Sequence, residues 1–294
     1  MTAAMTTLSV VRARKRGPGA ARNPHRPYRK ALATTRGRIG LALALLVALA
    51  GLLAPLLSSH APTAQSGEAL LAPGSPGHLL GTDDLGRDLL SRVLYGIRTD
   101  LEVIALAVPL GALLGCAFAL LAAVHPVLDT VVQRVFDLVL AFPGLILALA
   151  ITAVLGPGRL PVVVVIALAE IPVFGRQLRA GILVQREREY AVAARVGGTG
   201  RARLLLRHIL PNCADPLVVQ LAVSFTVAVF LEGAMSFLGV GIRPPEPTLG
   251  NMLSQALPYL AQAPHFAAGP LLVVTLLVLG FSLLSEALNR EIRR

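Results

Sequence analysis

The chain has 294 residues, 55% of them apolar and only 15% charged, with a mean hydropathy of +0.70. That balance excludes a disordered chain, and the two cysteines, Cys116 and Cys213, exclude a disulfide scaffold. A net charge of +11 alone would suit a nucleic-acid binder, but the apolar residues gather in uncharged runs of membrane-spanning length, about 20 residues each.

In chain order, residues 1–38 carry ten Lys and Arg and no acid, and read as a disordered, lipid-associated cytoplasmic arm. Residues 39–57 form the first uncharged run. A cleaved signal peptide would also open on basic residues, but this basic region is far longer than a leader's, so the run is read as a retained span. The loop over 58–100 starts turn-rich, with Pro62, Pro73, Gly74, Pro76 and Gly77. Its acids Asp83, Asp84 and Asp88 lack calcium-loop spacing, since Leu94 stands where the bidentate Glu belongs. They are expected to support the loop and cap a helix over 89–95. Residues 103–124 form the second span, with Pro109 inside it and a Gly111–Gly115 pair that offers a close-packing surface to another helix. Residues 138–155 form the third, with Pro143 inside it.

A weaker fourth span, 160–175, is interrupted by Glu170 and Pro172, where a local break is expected. Residues 189–211 then read EYAVAARVGGTGRARLLLRHILP. The composition predicts a helix over 185–196 with a small-residue face (Ala191, Ala194), closed by Gly197, Gly198 and Gly200, because glycine supplies the positive φ of a helix C-terminus. A second helix over 201–209, capped by Thr199, is expected to end before Pro211. Three readings compete: a basic loop on lipid headgroups, a DNA-reading helix-turn-helix, and a docking element for a cytoplasmic partner. Spans flank the segment tightly, which argues against DNA. Small side chains let another surface approach closely, and the flanking arginines fix its orientation. The fifth span, 216–242, is interrupted by Glu232. A charge at the bilayer centre costs about 2.5–3.5 kcal/mol, so Glu232 reads either as a pathway or gate residue or as an interfacial acid at the span's end. Glu170 poses the same question, whereas Asp137 and Glu286 read as interfacial. A proline-rich outer loop over 243–263 leads to the last span, 266–285, with Pro270 inside it.

Orientation follows from basic residues, which collect on the cytoplasmic side. With the arm inside, twenty-two Lys and Arg are cytoplasmic and five external; the reverse inverts the ratio. Both termini are therefore expected in the cytoplasm. No catalytic set is apparent. The six histidines show no metal-ligand spacing such as i, i+4, so no metal or cofactor is expected.

The 189–211 segment resembles the "EAA" loop of ABC-importer membrane subunits. Ala193 and Ala194 match its alanines, Gly198 its glycine, and Leu210 and Pro211 its terminal pair; Val192 and His208 stand where the motif has Glu and Ile. The His-Ile-Leu-Pro ending is similar to the dipeptide/oligopeptide/nickel permease branch. Residues 78–88, HLLGTDDLGRD, resemble the Gly-Thr-Asp-x-x-Gly-Arg-Asp of that branch's C-type subunits. Residues 232–253, EGAMSFLGVGIRPPEPTLGNML, resemble its Ser-Phe-Leu-Gly run, with Leu249 at a usual Trp.

The resemblance implies an all-α polytopic membrane protein of six transmembrane helices, like a type I ABC importer permease, in a bacterial inner membrane. It implies half of a translocation pathway for peptides or nickel. The implied partners are a homologous second permease, two cytoplasmic ATPases docked on Glu189, Tyr190, Ala193, Ala194, Gly198, Leu210 and Pro211, and an external substrate-binding protein received on the stiff 243–263 loop. Lys15 and Lys30, the only lysines, follow no phosphate-cradling Gly-rich loop, so if the chain belongs to an ATP-driven importer, as the resemblance implies, the ATPases must be separate subunits. An ion-driven secondary transporter is the alternative, and it would require inverted repeats and several buried ionisable residues. The expected division is an arm (1–38), the first span and external loop (39–100), a core of five spans (101–286) that includes the docking loop 185–211, and a tail (287–294).

Overall fold

The computed structural model describes residues 26–65 and 68–293; the expectation of a disordered arm falls, for residues 1–25, outside them, and is corrected for residues 26–36, which are helical apart from a break at Thr34. Among the described residues every regular element is helical, with three isolated bridges pinning the outer loop. α1 (Arg26–Ala33) leads into α2 (Thr35–Leu52), whose first turn is capped by Thr34, its hydroxyl accepting from the Gly37 amide at 3.0 Å. A short α3 (Ala54–Leu57) completes the first span. α4 (Leu89–Ala122) absorbs both the short helix expected over 89–95 and the second span. At 34 residues it is about 51 Å long, so it outruns a hydrocarbon core of about 30 Å and its first turns project into the outer loop.

The third span is not one helix. α5 (Pro126–Ala141) and α6 (Gly144–Leu155) meet at 92°. Phe142 precedes Pro143 and is therefore held extended, at φ −83° and ψ 127°, which stops α5. At Pro172 the expectation of a break is corrected in the other direction: α7 (Arg159–Arg186) runs through it, and 56% of its most apolar stretch is buried among neighbouring helices. A proline costs less where surrounding helices hold the chain in place.

Beyond α8 (Glu189–Val196), the one-turn α9 (Arg201–Arg203) is preceded by Gly200, not capped by the Thr199 side chain. Nor does Pro211 end the helical path. The chain widens into a π-turn over Leu204–Ile209, tightens into a 3-10 turn over Leu210–Cys213, and continues as α10 (Ala214–Phe237). The wider turn accommodates Pro211, which has no N–H to donate, and the Asn212 side chain donates to the His208 carbonyl at 2.7 Å. α11 (Leu249–Ala256) and α12 (Pro264–Arg293) complete the chain. Among the described residues five helices are long and apolar enough to cross a membrane, six if the bent α5–α6 pair is one span.

Two glycine-mediated crossings set the packing. A Cβ on Gly111 would lie 2.6 Å from the Glu170 Cβ, and one on Gly115 2.3 Å from the Ile171 carbonyl, so the expected Gly111–Gly115 surface packs α4 on α7. Gly40 of α2 similarly meets the Gly280 carbonyl of α12. Ile104, Val108, Val162, Ile166, Met235 and Phe266 form the core between α4, α7, α10 and α12.

Candidate functional site

The segment expected from the sequence to dock a partner is a short helix held by one buried face. Ala191 of α8 is fully buried against Leu178, Ile182, Leu205, Ile209 and Cys213. The helix closes in a paired-turn glycine motif. The Gly198 amide donates to the Arg195 carbonyl and the Thr199 amide to the Ala194 carbonyl, both at 3.0 Å, with Gly198 at φ +79°. A side chain at Gly198 would meet open space; the left-handed backbone alone selects glycine there. The opposite face is bare. Glu189, Tyr190, Val192, Ala193 and Gly198 are exposed, and Val196 is 85% exposed. Of the predicted contact residues, Ala194 packs partly inward with Leu210, and Pro211 is exposed at the π-to-3-10 junction. A cavity of about 590 Å³ lies behind α8, between the ends of α4, α5 and α7, and Arg179, Arg186, Arg195 and Arg201 line it. Arg186 anchors the loop by donating to the Ala123 carbonyl at 2.6 Å.

Two contacts tie both chain ends to this face. The Tyr28 hydroxyl donates to Asp215 at the root of α10, and burial together with that bond pushes the phenol up to about 12. Arg36, at the start of α2, pairs with Glu286 of α12 at 2.5 Å. Glu286 and Asp137 are both exposed, as interfacial acids are expected to be.

The membrane-depth acids are buried and bonded. Glu170 of α7 accepts from the Ser224 hydroxyl of α10 at 2.5 Å. Glu232 is 1% exposed, not at an exposed span end, and accepts from Ser236 at 2.7 Å. Sequence reasoning missed its neighbour. Asp100 of α4, placed in the loop by the hydropathy boundary, is buried with its carboxyl beside that of Glu232, and it accepts from the Leu249 amide of α11 at 3.1 Å. Thr248 and Asn251 cap α11 reciprocally, and Asn251 also donates to the Ile242 and Glu246 carbonyls.

The outer loop is locked by charge. Asp83, fully buried, accepts from Arg87 Nε at 2.6 Å and pairs with Arg92 Nε at 3.3 Å. Both arginines also reach Gln255 of α11. Asp88 caps α4 as expected, accepting from the Ser91 amide at 2.8 Å. Burial pushes its carboxyl up, but bonds from His78 and Ser91 outweigh this and hold it below the usual carboxylate range.

The chain is a bundle of helices long and apolar enough to cross a membrane, with a short glycine-closed helix exposed between two of them. Residues 107–294 match the family described as binding-protein-dependent transport system inner membrane component, and the chain belongs to that family. It is 38% identical over 258 residues to the dipeptide transport system permease protein DppC of Haemophilus influenzae, covering 85% of this chain and 88% of that one. It is 36% identical over 275 residues to the di/tripeptide transport system permease protein DppC of Pseudomonas aeruginosa, covering 91% of each. The fold is also that of a crystal structure of an amino acid ABC transporter with histidines, at a TM-score of 0.55 and 20% identity over 68% of this chain and 93% of the other.

Proposed function

We propose that the chain forms one half of the translocation pathway of an ATP-driven importer of peptides. A homologous permease would supply the other half, and two cytoplasmic ATPases and an external binding protein would complete the assembly. The peptide cargo rests on the relatives, which are dipeptide and di/tripeptide permeases matched over most of their length. One docking loop per chain calls for a second chain to seat the second ATPase. Residues 1–38 and 287–294 are the cytoplasmic arm and tail, and the α8 face lies inside with them. The basic-residue bias supports this orientation, as does the linkage of Tyr28 and Arg36 to Asp215 and Glu286.

The observation that carries the reading is α8 itself. Its inner face is fixed to the spans by Ala191, while Tyr190, Val192, Ala193 and Val196 present apolar surface to the cytosol. Such a helix transmits movement as a rigid element when ATP closes the ATPase pair, because the two subunits then share two discrete states. Glu189, Tyr190, Ala193, Ala194 and Gly198 form the contact, and Leu210 and Pro211 pass the movement to α10. Glu232 and Glu170 act at the pathway or its gate by holding α10 to α4 and α7.

The test is uptake by the reconstituted complex. Ala193→Trp places bulk on the exposed face without backbone strain, and Gly198→Trp places it at the helix end, where the left-handed backbone adds strain. Both are expected to leave membrane insertion and ATP hydrolysis intact while uptake falls to background. Unchanged uptake in Ala193→Trp contradicts the role.

A further inference from the structure

The outer loop brings together three side chains that the sequence keeps apart. His60 follows α3, His78 lies in the turn after Gly77, and Asp88 caps α4. One ligand atom from each lies within 4.8 Å of the others. The imidazole rings of His60 and His78 stack with centroids 5.0 Å apart. His78 Nδ1 sits 2.9 Å from Asp88 Oδ1, with both residues buried. His60 Nδ1 is shut off from solvent and has no hydrogen-bond partner, which is costly for a polar atom unless something else occupies its lone pair. A cavity of about 290 Å³, lined by Ser59, Gly74, Ser75 and Gly77, opens beside His78 and Asp88 and has room for a water.

From this arrangement we propose that His60, His78 and Asp88 bind a divalent transition-metal ion such as Zn²⁺, with water as the fourth ligand. Two imidazoles and a carboxylate form a donor set suited to Zn²⁺ and its neighbours, not to Ca²⁺ or Mg²⁺, which take oxygen ligands. A tetrahedral ion with bonds of about 2.0–2.2 Å needs its ligand atoms about 3.3 Å apart. His78 Nδ1 and Asp88 Oδ1, hydrogen-bonded at 2.9 Å, must part by a few tenths of an ångström to take that spacing. His60, the only partly exposed member, closes the site by a side-chain rotation. The bound ion staples the end of the first span to the turn at 74–78 and to the α4 N-terminus. This is independent of ATPase docking, which lies at the other end of the molecule.

The experiment titrates Co²⁺, then Zn²⁺, into the full chain in lipid nanodiscs, purified on a tag without histidine. The expected result is one Co²⁺ per chain with a visible ligand-field spectrum of tetrahedral type, displaced by Zn²⁺. His60→Ala leaves the His78–Asp88 bond in place. Asp88→Asn keeps an α4 cap, because Asn caps as well as Asp. Each is expected to weaken binding by more than about tenfold while the chain remains monodisperse. Absence of saturable binding in the natural chain, or undiminished binding in His60→Ala, overturns the site.

Discussion

The two ends of the bundle are built on opposite principles. At the end that carries the 58–88 loop, charged and polar groups are buried in a network within the chain, with a few atoms, among them His60 Nδ1 and Arg92 Nη1, left without a hydrogen-bond partner. Asp83 is enclosed by Arg87 and Arg92, Asn251 bridges two carbonyls, and Asp100 accepts from α11. At the α8 end the burial is apolar and shallow, and among the described residues the outer face of α8 is exposed, with Tyr190 bonded only to the nearby Gln185. Buried polar networks fix one geometry because every unmet group is costly. An exposed apolar helix face costs little in water if a partner covers it in the assembly. The end that carries Asp83 thus holds a shape by itself, whereas the α8 end leaves an apolar helix face exposed, which is the surface proposed to receive another subunit.

That contrast sets how substitutions should rank. Asp83→Ala leaves two buried guanidinium groups short of a carboxylate and should cost about 3–5 kcal/mol, read as a large drop in thermal stability of the detergent-extracted protein. Gly250→Ala drives a methyl to 2.3 Å from the Gly233 carbonyl where α11 crosses α10. It should cost about 1–3 kcal/mol in the same melt. Next comes pH. Because the Asp88 carboxyl titrates below its usual range in the folded loop, its contribution is present above the ordinary carboxylate value. It is lost as the pH falls through the lowered one. Asp88→Asn keeps the cap and should flatten the acid limb of a stability–pH profile. The smallest effect belongs to the docking end: Ala193→Trp should shift stability by no more than about 0.5 kcal/mol even as it abolishes uptake. A large loss of stability there would erase the contrast.

The sequence conveyed the spans well because hydropathy is a local quantity, and the glycines after α8 because a positive φ favours one residue type. Prolines were harder to read. Pro143 ended a helix, while Pro172 and Pro211 did not, and the difference lies in how neighbouring helices and the π-turn take up the missing donor. Asp100 was passed over because a single acid at a span boundary looks interfacial; only the approach of α10 and α11 shows it to be buried. The His60–His78–Asp88 cluster has no sequence signature at all, since loop closure alone assembles it.

The central claim is that α8 lies in the cytosol and is covered by an ATPase. A membrane-impermeant thiol reagent on Ala193→Cys, in a chain whose Cys116 and Cys213 are replaced by alanine, tests it directly. The account predicts no labelling of intact cells, rapid labelling of inside-out vesicles stripped of ATPase, and protection when the ATPase is restored. Labelling from outside the cell, or labelling that the ATPase does not slow, would contradict it.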